Sequence, residues 1–309
     1  MTEVNTSKKV TGATVGIIGL GSMGYGMAKT LIREGFHVIG TDLGEEQKRA
    51  AQALGVTIAA DTKALCQSCQ VIILSLPMAK HVQAVIKGEG GIIENAQANS
   101  LIMDTSTSEP EVTRALAAEL ASHGHQLLDS PVSGGPAGAA AGTMVMVVGG
   151  EIAALQRAEP FLDALSSKVV HLGESGNGHV AKLINNLLCA AHLVTTAEAI
   201  SLGKKAGLDP EALIAGLNAG SGRSAVSEVN FPRWILNEEF NSGFTMQLMR
   251  KDVRLAKQLI EDMGLSLPMA EQTSSIWRES ADNIADQDDF NCIIKNIDQI
   301  NEHPKGEES

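Results

Sequence analysis

The chain has 309 residues, about two domains at the usual ~100–200 residues each, and its 44% hydrophobic and 19% charged residues can build sizeable cores and exclude a disordered polymer. With 36 acidic and 24 basic residues the formal charge is −12, a field that repels phosphate backbones and anionic headgroups and argues against nucleic acid or a membrane as partner. Six Phe, 1 Tyr and 2 Trp leave no aromatic ladder on which bases could stack.

Met1–Lys9 is too polar for a secretory signal and no run reaches ~18 uninterrupted apolar residues, so the expected location is cytoplasmic. From about residue 13 to residue 173, short apolar runs alternate with helical patterns and glycines, the rhythm of a parallel α/β sheet. Strands are expected at Ala13–Ile18, Phe36–Thr41, Val71–Ser75, Ser100–Asp104, Gln126–Leu128, Thr143–Val148 and Lys168–His171, and together they suit one doubly wound sheet. After Gly173 the strand-like runs vanish. His179–Ala206 reads as one linking helix of 28 residues, ~42 Å long, and it is apolar around much of its circumference, which predicts wide burial. Pro210–Ala219, Met246–Met263, Pro268–Ala281 and Phe290–Asn301 also carry helical patterns. The expected organisation is an α/β domain over 12–175, an all-α domain over 176–301, and a polar tail over 302–309.

Gly19-Leu-Gly21-Ser-Met-Gly24 follows a predicted strand and opens a predicted helix through Ser22 and Met23, the context of a Rossmann-type dinucleotide turn. Gly19 permits the tight turn, Gly21 lets the backbone approach a pyrophosphate, and Gly24 lets helix and strand pack closely. The amide donors and positive dipole end of that helix would then bind the phosphates. Asp42 ends the second strand 23 positions after Gly19, near the ~20 at which an acid meets a ribose 2′-hydroxyl. A carboxylate there repels a 2′-phosphate, and Leu43 stands where an arginine would welcome one, so NAD is favoured over NADP. Asp42 could equally cap the helix ahead of Glu45 and Glu46.

With these residues in place the chain resembles the β-hydroxyacid dehydrogenase family, from roughly residue 13 to residue 300. The resemblance rests on four motifs in order: Gly16-Ile-Ile-Gly-Leu-Gly-Ser-Met-Gly24, Asp129-Ser-Pro-Val-Ser-Gly-Gly135, Gly176-Asn-Gly-His-Val-Ala-Lys-Leu-Ile-Asn-Asn186 and Lys251-Asp252. It implies a Rossmann-type domain, a long linking helix, a helical domain, and reversible hydride transfer between NAD and a small 3-hydroxy acid.

Oxidising an alcohol needs a proton acceptor while the nicotinamide takes the hydride. Lys182 is the best candidate: it lies near the start of the long helix, where the dipole and desolvation both disfavour its charged form. By motif the family's catalytic lysine falls on Lys182 and its polar partner on Asn186. The i,i+4 spacing places both on one helix face. An ordinary solvated lysine is the plain alternative. Ser133-Gly134-Gly135 follows a strand, and its backbone amides with the Ser133 hydroxyl can hold a carboxylate, as the family does here; a plain turn is the alternative. Leu76-Pro77 and Thr107 resemble the family's cofactor contacts, although a hydroxyl near Thr107 could instead cap a helix. Lys251 resembles a lysine that reaches the cofactor or substrate, with Asp252 orienting it, against an exposed ion-pair helix as the plain reading. Arg223, in Ser221-Gly-Arg-Ser224, could bind a second carboxylate bidentately. That loop and Lys182–Leu188 look most like 2-(hydroxymethyl)glutarate dehydrogenases, which would imply a dicarboxylic substrate; tartronate semialdehyde reductase is another pattern within the family.

From another class, the same fold could serve as a non-catalytic NAD-binding module, but such a module would be expected to lose the lysine. Imine reductases generally carry a different residue at that position. The eight histidines, His179 among them, show no ligand spacing and no metal is assigned; solvated or packed histidine is the default. Cys66-Gln-Ser-Cys69 has redox or zinc spacing without a second pair. The apolar linking helix offers more surface than one small domain covers, so a homodimer or homotetramer is expected.

Overall fold

A computed structural model of the chain describes residues 12–297. Met1–Lys9, the end of the helix expected over Phe290–Asn301, His303 and the polar tail lie outside the described residues. In chain order the first part comprises β1 (Thr14–Ile18), α1 (Ser22–Arg33), β2 (His37–Thr41), α2 (Glu45–Ala53), β3 (Thr57–Ile58), α3 (Thr62–Ser68), β4 (Val71–Leu74), α4 (Ala79–Lys87) and α5 (Ile92–Asn95). It continues with β5 (Leu101–Asp104), α6 (Pro110–Ser122), β6 (Gln126–Asp129), β7 (Val132–Ser133), α7 (Gly135–Ala141), β8 (Met144–Val148), α8 (Ile152–Leu165) and β9 (Ser166–His171). Then come α9 (Asn177–Lys205), α10 (Pro210–Ala219), a π-helix over Val226–Ile235, α11 (Met246–Asp262) and α12 (Pro268–Glu279). Phe290–Ile293 is a 3₁₀ turn, and α-helical geometry begins only at Ile294.

The main sheet has six parallel strands in the order β3-β2-β1-β4-β5-β6. That order reverses direction between β1 and β4, and the crevice outside the carboxyl ends at such a point is where doubly wound sheets bind ligands. Both faces are covered. Ile17, Ile73, Met103 and Leu128 join one core cluster, while their neighbours Ile18, Ile72, Leu74, Ile102 and Leu127 join the other, as the two-residue strand period requires.

The expectation of one sheet is corrected. β7, β8 and β9 form a separate three-stranded sheet, with β7 antiparallel to β8 and β8 parallel to β9. An apolar run reveals that a strand exists and not which strand it pairs with. The two-residue strands β3 and β7 give too short a pattern to register.

The chain divides into two compact units between Lys182 and Leu183, inside α9. α9 is long and apolar enough to cross a membrane by length and composition. Yet Ala190, Leu193, Val194, Ala197 and Ile200, at helical spacing along it, belong to the core of the second unit, with Phe231, Met249, Val253 and Trp277. The Trp277 indole donates to the Ala190 carbonyl at 3.2 Å. The π-helix was not anticipated. Its Leu236 N–H bonds back to Phe231, five residues earlier, and Pro232 within it reads as a helix breaker.

Candidate active site

The glycine turn is built from steric necessity. Gly19 has φ +95°, and a Cβ there would collide with the Ser75 carbonyl at the end of β4; a Cβ on Gly24 would collide with the Gly19 carbonyl. At Gly21 a Cβ would meet nothing within 4 Å, and Gly21 and Ser22 are exposed while Met23 is half-buried. The space beside Gly21 is thus open where a pyrophosphate would lie. α1 has no side-chain cap and no acidic residue in its first turn, so its leading amides remain suited to an anion. These residues fit a dinucleotide.

Asp42 is fixed beside this turn: its carboxylate accepts from Leu20 N–H at 2.6 Å and Gly44 N–H at 2.7 Å. Leu43 is fully exposed. The two cations that follow are directed to Glu45, Lys48 through an ion pair of 2.5 Å and Arg49 through a 3.3 Å bond to the carbonyl. After β4, Leu76 is half-buried and Pro77 exposed; after β5, Thr107 is half-buried.

Ser133 ends β7, and Gly134 and Gly135 follow with φ of +124° and +61°, conformations that side chains rarely adopt. The small residues of α7 then pack tightly on α1. A Cβ on Gly26 would come within 2.8 Å of the Ala139 side chain, the Thr30 hydroxyl donates to the Ala139 carbonyl at 2.7 Å, and Arg33 donates to the carbonyls of Ala140 and Ala141. The loop is therefore anchored to the helix that opens at the glycine turn.

Lys182 is 9% exposed, and its Nζ donates to the Ser133 hydroxyl at 3.2 Å. Residues 49 positions apart in sequence thus meet. Because α9 begins at Asn177 rather than His179, Lys182 stands in its second turn, beyond the strongest reach of the helix-end field. Its burial is the stronger feature.

The start of α9 is held by groups that sequence reasoning left without a role. The buried Asp129 carboxylate accepts from Gly176 N–H at 2.8 Å and His179 N–H at 3.0 Å. A Cβ on Gly178 would lie 2.6 Å from the Asp129 carbonyl oxygen, so the glycine permits this approach. His179 is fully buried and bonded at both ring nitrogens, to Thr113 Oγ1 at 2.7 Å and the Ser106 carbonyl at 3.0 Å. Burial raises the Asp104 carboxyl above its ordinary value, opposed by His179 and by bonding from Ser106. The available signal was an aspartate closing each of two adjacent apolar strands: Asp104 and Asp129 are register partners.

In the second unit, Asn186 lies one turn beyond Lys182 along α9. Its amide donates to Asp252 Oδ2 at 2.5 Å, and its Oδ1 accepts from Asn185 at 3.0 Å. Lys251 Nζ is 3.2 Å from Asp252 Oδ1, an ion pair lacking hydrogen-bond alignment, since that buried oxygen has no hydrogen-bond donor. Asp252, 1% exposed, therefore organises Asn186 and Lys251 together. Arg223 is exposed, and among the described residues no hydrogen bond joins it to this group. No cluster of three or more His, Cys, Asp or Glu suited to a metal occurs among the described residues. Cys66 and Cys69 are buried in the sheet core, and burial pushes their thiols up to about 12 and about 11, which suppresses the thiolate needed for redox or metal chemistry.

Residues 14–173 match the family described as the NAD binding domain of 6-phosphogluconate dehydrogenase, and residues 176–297 that described as NAD-binding of NADP-dependent 3-hydroxyisobutyrate dehydrogenase. The chain is 34% identical to 2-(hydroxymethyl)glutarate dehydrogenase of Eubacterium barkeri over 286 residues, covering 93% of this chain and 95% of that protein. It is 33% identical to NAD-dependent L-serine dehydrogenase of Pseudomonas aeruginosa, covering 92% and 97%. Among solved structures, Mycobacterium tuberculosis 3-hydroxyisobutyrate dehydrogenase with L-serine superposes with a TM-score of 0.86 at 31% identity, covering 93% of this chain and 99% of that one.

Proposed function

The chain belongs to the β-hydroxyacid dehydrogenase family, and from that premise we propose that it oxidises a small 3-hydroxy acid to the semialdehyde, reversibly, with Lys182 as the proton-exchanging group. The observation that supports this reading is the contact of Lys182 Nζ with Ser133 Oγ, which brings a buried amine to the loop that would hold the substrate carboxylate. Bound NAD supplies the hydride acceptor. Gly19, Gly21, Ser22, Met23 and Gly24 would hold the pyrophosphate, Asp42 and Leu43 the adenosine ribose, and Leu76, Pro77, Thr107 and Lys251 the remaining cofactor contacts. The Ser133 hydroxyl and the amides of Gly134 and Gly135 bind the acid, and Lys182 takes the proton from the substrate hydroxyl. Asn186, fixed by Asp252, offers its second amide hydrogen to the substrate. Residues 12–175 are assigned most of the nucleotide binding together with the acid-binding loop at Ser133, and residues 176–301 the other substrate contacts and self-association. Incubating the protein with NAD and a panel of 3-hydroxy acids while following absorbance of the reduced cofactor tests the proposal; turnover of none would favour a non-catalytic NAD-binding module.

Asp42 supports NAD over NADP, because its carboxylate is already fixed and Glu45 engages both nearby cations. Asp42→Ala should lower the NAD-to-NADP ratio of kcat/KM by about 10-fold or more, the value of a lost hydrogen bond to a charged group. An unchanged ratio sinks the assignment.

A dicarboxylic substrate is the second reading, supported by the exposed Arg223 and by similarity to the 2-(hydroxymethyl)glutarate enzyme. Arg223→Ala should then raise KM about 10- to 100-fold for dicarboxylates alone; equal effects on monocarboxylates argue against it. Self-association as a homodimer or homotetramer is supported by exposed Leu202, Met263, Leu265 and Met269 in the second unit. A cytoplasmic location is supported by the four cysteines being too few and too scattered for the disulfide framework of a secreted protein.

A further inference from the structure

Ser106, just beyond β5, is 5% exposed and uses its polar groups in three directions. Its N–H donates to Asp104 Oδ1 at 3.0 Å, closing the turn after β5. Its hydroxyl accepts from Leu76 N–H at 3.0 Å, fastening the loop after β4. Its carbonyl bonds His179 Nε2 at 3.0 Å, fastening the first turn of α9. A carbonyl can only accept, so Nε2 carries a proton. The opposite ring nitrogen meets Thr113 Oγ1 at 2.7 Å. An aliphatic side chain could fill the same volume. Only a side chain with polar atoms at both ends can serve the carbonyl and the hydroxyl together.

We propose that Ser106 and His179 are positioning residues whose bond ties the dinucleotide loops at Leu76–Pro77 and Thr107 to the helical turn bearing Lys182. This rests on the reading of Lys182 and of those loops given above. Lys182 follows His179 by three residues, so the two share a helix face, and a shift of His179 is transmitted to the amine. The Leu76 N–H, deprived of the Ser106 hydroxyl, would have to reorganise to find another acceptor. A displacement of ~1 Å in a reacting group can cost about 100-fold in rate.

Three full-length variants test this, with NAD affinity measured by calorimetry in the absence of substrate and kcat measured separately. Ser106→Ala should raise the Kd for NAD about 10-fold. His179→Leu should lower kcat about 100-fold, and His179→Gln, whose amide can both donate and accept, should recover most of that loss. Native NAD affinity in Ser106→Ala overturns the proposal, as does equal impairment of the Gln and Leu variants, which would mean that ring shape rather than hydrogen bonding matters. Should His179→Leu fail to fold, Ser106→Ala and His179→Gln still decide. A parallel Lys182→Ala enzyme that keeps its turnover removes the premise about the amine, and it does so without changing the binding result.

Discussion

Lys182→Ala should lower kcat by about 10²- to 10⁴-fold, the usual contribution of a positioned general acid or base, while NAD still binds. The glycine turn at Gly19–Gly24, proposed to hold the pyrophosphate, is shaped by close backbone approaches at Gly19 and Gly24 in which Lys182 has no part. Two roles for the amine can be separated. It could act by charge alone, drawing the substrate anion toward Ser133, or it could accept the hydroxyl proton. Lys182→Arg preserves the positive charge but supplies a group that stays protonated. Under proton exchange both variants lose kcat alike; under simple attraction the arginine enzyme keeps much of its rate and only alanine raises KM. Single-turnover kinetics with NAD binding followed by fluorescence distinguish these cases, and an arginine variant within about tenfold of native kcat would exclude the proton-transfer role.

Asp129→Asn should lower the unfolding free energy of the first unit by about 1–3 kcal/mol, since one of the two backbone N–H groups held by the carboxylate loses its acceptor and a buried unsatisfied group costs about that much. Gly176 and His179 donate to different oxygens of Asp129. The isosteric amide keeps one acceptor and turns a donor toward the other N–H. A negative side chain at the start of α9 also complements the helix dipole. Because His179 lies in that first turn and Lys182 in the next, on the same helix face, the variant should lose activity as well as stability. Urea titration gives the stability change, and a midpoint equal to the native one would show that α9 is held by its other contacts.

Legibility in the sequence followed the kind of constraint involved. The turn at Gly19 and Gly24 was readable because only glycine survives the collisions found there. The helical pattern over Pro210–Ala219 matches α10, whose start is held by Asp209 accepting from Ala212 N–H at 2.9 Å. α9 was readable from its apolar circumference, although its start was placed two residues late. Partnerships across long sequence separations were not readable. Ser133 and Lys182 were each assigned to substrate, yet nothing local to either indicates a 3.2 Å contact. His179 was given the default of a solvated or packed histidine, because its need for two polar partners depends on burial that no single segment reveals. The π-helix escaped because a five-residue hydrogen-bond period has no side-chain signature distinct from an α-helix, and it contains Pro232, a residue type that ordinarily breaks a helix.

The interlock of α1 with α7 bears on redesign. Gly26, Thr30 and Arg33 meet α7 through a missing side chain and three carbonyls, whereas Asp42 bonds to Leu20 and Gly44. Under the proposed assignments, coenzyme preference and substrate anchoring would rest on separate sets of contacts, so a protein engineer could rewrite the end of β2 and its following turn as one cassette, and screen it without repairing the loop after β7 in every round.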